Sequence, residues 1–326
     1  MQMKGERMDT ANRLDIHQTI TDQIVAAIEA GAPEFKMPWH RAQGSLMRPI
    51  NVATGKRYQG INIVALWLAG EQRGYAAPLW ATYRQWQTKG AQVRKGERGA
   101  VIVFYKELEF TRANESGEPE DVRTLFARAS HVFNVAQVDG YAPREEMQPP
   151  SPSAVEAIES AERLLASSGA VFVEGGDRAF YRPADDTIAM PDRHRFQGSD
   201  TISPTEAWYA TKLHELVHWS GAKHRLDRDL SGRFGSDAYA MEELVAELGA
   251  SFLCADLNVT TELRPDHAAY IASWLAVLRS DKRAVFTAAS AAQRAAAYLA
   301  AFAADCEPQR PTISSEPVPN TPGEPK

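Results

Sequence analysis

The chain has 326 residues, 44% apolar and 24% charged, with a net charge of −6 and two cysteines. That composition belongs to a folded globular protein and excludes collagen-like, wholly disordered and disulfide-scaffold classes. No apolar run approaches the ~18 residues that span a bilayer. The first residues lack a secretory apolar stretch, and Cys254 and Cys306 have no ligand or framework spacing. The expected setting is a reducing cytoplasm with no membrane partner.

The length exceeds the ~100–200 residues usual for one domain, which predicts two. A segment dense in Pro and Ser, 141–153, reads as the linker between domains at 10–140 and 154–304. From 305 to 326 the chain carries six prolines and few apolar residues, which predicts a disordered tail. Charge is unevenly divided. Between Lys36 and Lys106 twelve cations meet only Glu71 and Glu97, a net of +10 that leaves −16 for the remainder. Such asymmetry inside an acidic protein points to a local polyanion site.

In chain order, Ile16, Ile20, Ile24 and Ile28 recur every four residues and predict a helix from Thr10 to Ala30, stopped by Gly31. Two short helices follow over Ile61–Ala69 and Leu79–Lys89. The runs GAVIVFYKELEF and RTLFARASHVFNVAQV read as strands joined by a polar loop at Asn114–Asp121. The second half predicts a helix over Ser153–Ser167 and strands at Val171–Glu174, Arg178–Tyr181 and Thr187–Met190. Long helices over Pro204–Ser220, Ser236–Leu257, Asp266–Arg279 and Asp281–Ala304 complete it. Both halves are α+β: a small nucleic-acid-binding module, then a short sheet with a helix bundle.

His214-Glu215-Leu216-Val217-His218 matches H-E-x-x-H. On a helix, four residues bring both imidazoles to one face, where they can bind zinc. Glu215 then lies beside them as a general base for water. Ser203, Pro204 and Glu206 supply the helix start as a capping box. Two residues compete as third ligand. His224 completes H-E-x-x-H-x-x-G-x-x-H, but the methionine turn that pattern requires has no site, since the last methionine, Met241, sits in a helical pattern. Glu243 lies in MEELVAELGASFLC, sharing a helix face with Glu247, while Ala246, Gly249 and Ala250 permit close helix contact. Buried carboxylates need a partner or a metal. Glu243 as ligand and Glu247 behind a ligating histidine satisfy both, whereas a solvated acidic face at Glu242, Glu243 and Glu247 is the bland alternative.

The basic segment also holds Trp39, Trp67, Trp80 and Trp86, with Tyr58, Tyr75, Tyr83 and Tyr105. Cations interleaved with aromatics are what single strands require: charge tracks phosphate and rings stack on bases. The contact candidates are Lys56, Arg57, Tyr58, Arg84, Trp86, Arg94, Lys95 and Arg98. Trp67 is assigned to the core, and Trp86, among polar neighbours, to base stacking.

The motifs DTIAMP, HELVHWSG, RLDRDL and FGSDAYAMEELVAELGASFL resemble the zincin-like metallopeptidase domain of the ArdC antirestriction family. PINVATGKRYQGINIVALW, WATYRQWQTKGAQVRKGERG and VFNVAQVDG resemble that family's N-terminal single-stranded-DNA-binding domain. The resemblance runs from Asp15 to Phe302. It implies a protein of a mobile element that protects incoming DNA from host restriction. Its metal, zinc or another divalent ion, would sit on His214, His218 and Glu243, with Glu215 as base and His224 lining the cleft. The resemblance leaves open whether protection comes from masking DNA or from cleaving a protein substrate such as a restriction-system component. A strand such as Thr187–Met190 would hold the peptide. Two rival readings are a DNA-coating protein with a structural zinc site and a transferred effector protease acting on a host protein.

Overall fold

The computed structural model describes residues 15–31, 37, 47–113, 119–142, 153–230, 232, 235–260 and 268–305. The tail from 306, most of the linker and part of the 114–121 loop lie outside the described residues. Among the described residues no helix is long and apolar enough to cross a membrane.

The isoleucine ladder forms helix α1 (Ile16–Gly31), with Ile20, Ile24 and Ile28 at 0–1% exposure. Strand β1 (Ile50–Asn51) and helix α2 (Ile61–Arg73) follow. The segment read as a helix from Leu79 divides instead. Leu79–Thr82 is strand β2, parallel to β1 and antiparallel to a later strand. Helix α3 (Tyr83–Thr88) starts only where Thr82 takes the Gln85 amide and the Gln85 side chain takes the Thr82 amide. Pairing on both edges with burial of both faces overrides the helical pattern of this apolar stretch.

Strand β3 (Gln92–Val93), β4 (Ala100–Ala113), β5 (Pro119–Asn134) and β6 (Val138–Asp139) complete this half. Its main sheet has the order β1-β2-β5-β4, with β3 and β6 as a separate pair. β4 and β5 form a long antiparallel hairpin, registered from Ala100↔Val132 to Ala113↔Pro119.

The second half opens with α4 (Ala154–Ser168) and β7 (Val171–Glu174), β8 (Phe180–Arg182) and β9 (Thr187–Met190), ordered β7-β9-β8. Thr187–Met190 is therefore the middle strand, paired on both sides. It has no edge left for a peptide; β8 and β7 are the edges. Helices α5 (Pro204–Ser220), α6 (Asp237–Leu257), α7 (Ala268–Ser280) and α8 (Ala284–Asp305) follow. The predicted capping box holds: Ser203 accepts the Glu206 amide and Glu206 accepts the Ser203 amide.

The halves share one core. Ile20 and Ile28 of α1 and Ile63 and Trp67 of α2 belong to the same buried cluster as Leu213, Leu216, Leu244 and Phe252. An ion pair crosses the joint. Arg48, 6% exposed, binds Asp256 at 2.9 Å and Gln293 at 3.0 Å, and its guanidinium lies 4.6 Å from the Phe252 ring centre. Arg57 reaches the other Asp256 oxygen at 2.8 Å.

α5 and α6 touch closely because Gly249 has no side chain. A Cβ there would lie 2.9 Å from Val217 Cγ1. Overpacking typically costs ~1–3 kcal/mol, while Gly→Ala gains about 1 kcal/mol of helix propensity. Val217 is stiff and fully buried, so packing should win. Gly249→Ala is expected to lower the thermal unfolding midpoint despite its better helix propensity. An unchanged or raised midpoint would contradict this reading of the helix contact.

Candidate metal centre

His214 and His218 stand one turn apart on α5, with ring centres 4.9 Å from each other. Glu243 projects from α6 between them: His214 Nε2 lies 3.5 Å from one carboxylate oxygen and His218 Nε2 3.6 Å from the other. One ligand atom from each of the three can be chosen so that all lie within 4.8 Å of one another. Two imidazoles and a carboxylate, all on the inner wall of a cleft, form a donor set that suits zinc.

The backs of both rings are also held. His214 Nδ1 faces Glu247 at 3.6 Å, as the helix-face argument expects. His218 Nδ1 bonds Glu242 at 3.0 Å, a partner that sequence reasoning did not assign. Glu242 is in turn gripped by Arg228, whose Nε and terminal nitrogen reach its two oxygens at 3.0 and 2.8 Å. The same guanidinium donates to the Val217 carbonyl and Ser220 hydroxyl. It fits because Gly221 is bare: a Cβ there would sit 2.7 Å from the guanidinium. Gly221 makes room for an arginine; it does not turn a histidine toward the metal. The R-L-D-R sequence shows two arginines, and nothing in it marks Arg228 as this clamp.

Glu243 and Glu247 are buried at 6% and 5% exposure, so the solvated-face alternative is set aside. Burial pushes the Glu243 carboxyl up, but the His218 charge and hydrogen bonds from both imidazoles outweigh it and hold it well below its ordinary value. Burial pushes the His218 imidazole down, while the Glu243 and Glu242 carboxylates overcome this and raise it to about 10. Each of the two shifts is caused by the presence of the other group.

Glu215 is 3% exposed, yet its carboxylate lines the cleft, accepting the Tyr181 amide of β8 at 3.1 Å. The cleft has a volume of about 1280 Å³ and runs from β8 past both histidines to Tyr239 and Tyr270. His224 lies outside it. It is 64% exposed and 3.6 Å from Asp186, which Arg225 holds with both terminal nitrogens. The structure thus brings Glu243, not His224, to the imidazoles.

The first half redistributes the nucleic-acid candidates. Trp86 is fully buried, its indole nitrogen donating to the Phe133 carbonyl, so it cannot stack on a base. Its ring belongs to a buried cluster with Leu79 and Ala81 of β2 and Val93 of β3, which polar sequence neighbours did not reveal. Tyr58 is 8% exposed with its hydroxyl on Asn51, and is equally withdrawn. Trp67 is core as expected. Arg57 is committed to Asp256, and Arg94 to Glu97 at 3.0 Å and the Ala136 carbonyl. Lys56, Arg84, Lys95 and Arg98 are exposed.

Residues 14–133 match the family described as the N-terminal domain of anti-restriction factor ArdC, and residues 159–291 match the zincin-like metallopeptidase family. Protein y4eC of Sinorhizobium fredii is 53% identical over 297 residues, covering 90% of this chain and 94% of that protein. A DNA primase TraC of Escherichia coli is 38% identical over 301 residues. That match takes in 88% of this chain but 27% of the primase. The metal-free crystal structure of antirestriction ArdC from plasmid R388 superimposes with a TM-score of 0.73 at 36% identity, covering 89% of this chain and 98% of that one. Its Mn(II)-bound form gives 0.70 at 35% identity, over 90% and 100% of the two chains. With both halves matched and a solved relative covered almost end to end, the chain belongs to the ArdC antirestriction family.

Proposed function

We propose that the protein protects the DNA of a mobile element from restriction, binding single strands with its first half and hydrolysing a peptide bond in the cleft of its second. The observation that carries the catalytic part is the convergence of His214, His218 and Glu243 beside Glu215 on an open cleft. A site that only braced the fold would have closed on its ion and would need no base.

His214, His218 and Glu243 would hold one divalent ion, zinc by donor chemistry, with Glu247 and Glu242 fixing the ring orientations. The ion would supply Lewis acidity toward the scissile carbonyl and toward water. Glu215 takes the proton of the attacking water and returns it to the leaving amine. An extended peptide pairs along β8, the cleft-side edge strand, in place of the middle strand expected from sequence. A restriction-system protein is the substrate class that would link this chemistry to antirestriction.

For DNA, the reading rests on the exposed cations Lys56, Arg84, Lys95 and Arg98, which have no carboxylate partner among the described residues. Arg57 and Arg94 contribute less because each already holds an acid.

Metal analysis should find one divalent ion per chain, absent from Glu243→Ala and kept in His224→Ala; the reverse pattern would move the third ligand to His224. Glu242→Gln should weaken metal affinity ~10–100-fold by loosening the His218 ring. Glu215→Gln should retain the ion and lose peptidase turnover, so cleavage at the wild-type rate would remove Glu215 from the mechanism. In salt titrations with a single-stranded oligonucleotide, joint replacement of Arg84, Lys95 and Arg98 by Gln should flatten the log–log slope by ~0.7 for each phosphate no longer neutralised. An unchanged slope would place the phosphate track elsewhere.

A further inference from the structure

We infer that Tyr83, backed by Phe133, is a platform on which an unpaired base of the bound strand stacks. The inference rests on the single-strand reading and adds the residues that would contact the base. The burial of the tryptophans among the described residues forces the question. Within the basic segment Tyr58, Trp67, Trp80 and Trp86 all fall below 9% exposure, and Tyr75 packs edge-on against Trp80. Sequence-tolerant binding of single strands needs rings that water can reach. Among the described aromatics of that segment, Tyr83, Phe104 and Tyr105 are exposed, at 41%, 50% and 51%.

Tyr83 is distinguished from the other two by how it is held. Its hydroxyl accepts from the Gln92 side-chain amide at 2.8 Å, and its ring meets Phe133 edge-on at 6.4 Å between centres. Phe133 is itself fixed. Its carbonyl takes the Trp86 indole hydrogen, and its ring lies where a side chain on Gly99 would be, 3.2 Å from that Cβ position. Trp86 and Tyr83, three residues apart on α3, both reach Phe133, one through its carbonyl and the other through its ring. The buried tryptophan therefore buttresses, through Phe133, the exposed tyrosine that does the stacking. A ring immobilised in advance loses little side-chain entropy on binding.

Exposed cations lie close to this residue along the chain. Arg84 follows it in sequence, and Gln92, which holds its hydroxyl, opens the short segment leading to Lys95 and Arg98. Phosphates flanking a base on Tyr83 would draw on these cations. By contrast, Phe104 lies across from Arg128 on the hairpin, and the Tyr105 hydroxyl is 3.4 Å from His17 of α1.

The test is fluorescence anisotropy of a labelled oligothymidylate, and of the same strand with abasic sites, on the full chain across a salt series. Tyr83→Leu should weaken binding to the intact strand by roughly 5- to 150-fold, the range seen for stacking rings. The salt slope should stay unchanged and the thermal midpoint near wild type. Tyr83→Phe should restore most of the affinity. On the abasic strand wild type and Tyr83→Leu should converge. A Tyr83→Leu variant that binds the intact strand like wild type, or a loss seen instead with Phe104→Leu or Tyr105→Leu, overturns the platform alone. A wild-type chain that binds no oligonucleotide overturns the single-strand reading and the platform with it.

Discussion

Three glutamates and two histidines lie largely out of water where α5 meets α6, and neither set is stable there without the other. An isolated carboxylate in a protein interior costs several kcal/mol, more than the small surplus that keeps a domain folded. The helices resolve this by facing acid to imidazole: Glu243 between both rings, Glu247 behind one and Glu242 behind the other. The same arrangement builds a binding site and orients its ligands. Gly249 and Gly221 follow from it, since one lets the helices close and the other admits the arginine that neutralises Glu242.

This centre was legible in the sequence because its spacing is a helical property. Four residues place His214 above His218, and the MEELVAELGASF pattern predicts a second helix with acids on one face and small residues beside them. Most element boundaries were legible for the same reason, including the Ser203 cap and the isoleucine face of α1. The Arg228–Glu242 pair was not. It joins a turn to a helix across 14 residues, and nothing local distinguishes that arginine from its neighbours.

The aromatics illustrate a deeper limit. Trp86 sits between glutamines, which suggests exposure, but α3 is a short helix laid on the sheet and its one inward position is that of the tryptophan. Burial there is set by partners from Val52 to Val138 that no local window contains. Likewise Leu79–Thr82 became a strand because β1 and β5 offered hydrogen bonds on both its edges. Local pattern states what a segment can be; long-range pairing selects among the options.

The core shared by the two halves has a consequence for inheritance. Helix α1 and helix α2 are covered by residues that lie beyond the linker, and Arg48 is neutralised by Asp256 on the helix that carries Glu243. A recombination event that separated the halves would strip apolar surface from both and strand a buried charge. The similarity to TraC respects this: it spans both halves, embedded in a primase several times longer. Halves that share a core and a buried ion pair have to be carried into a larger polypeptide together, and a change that loosens one half loosens the other.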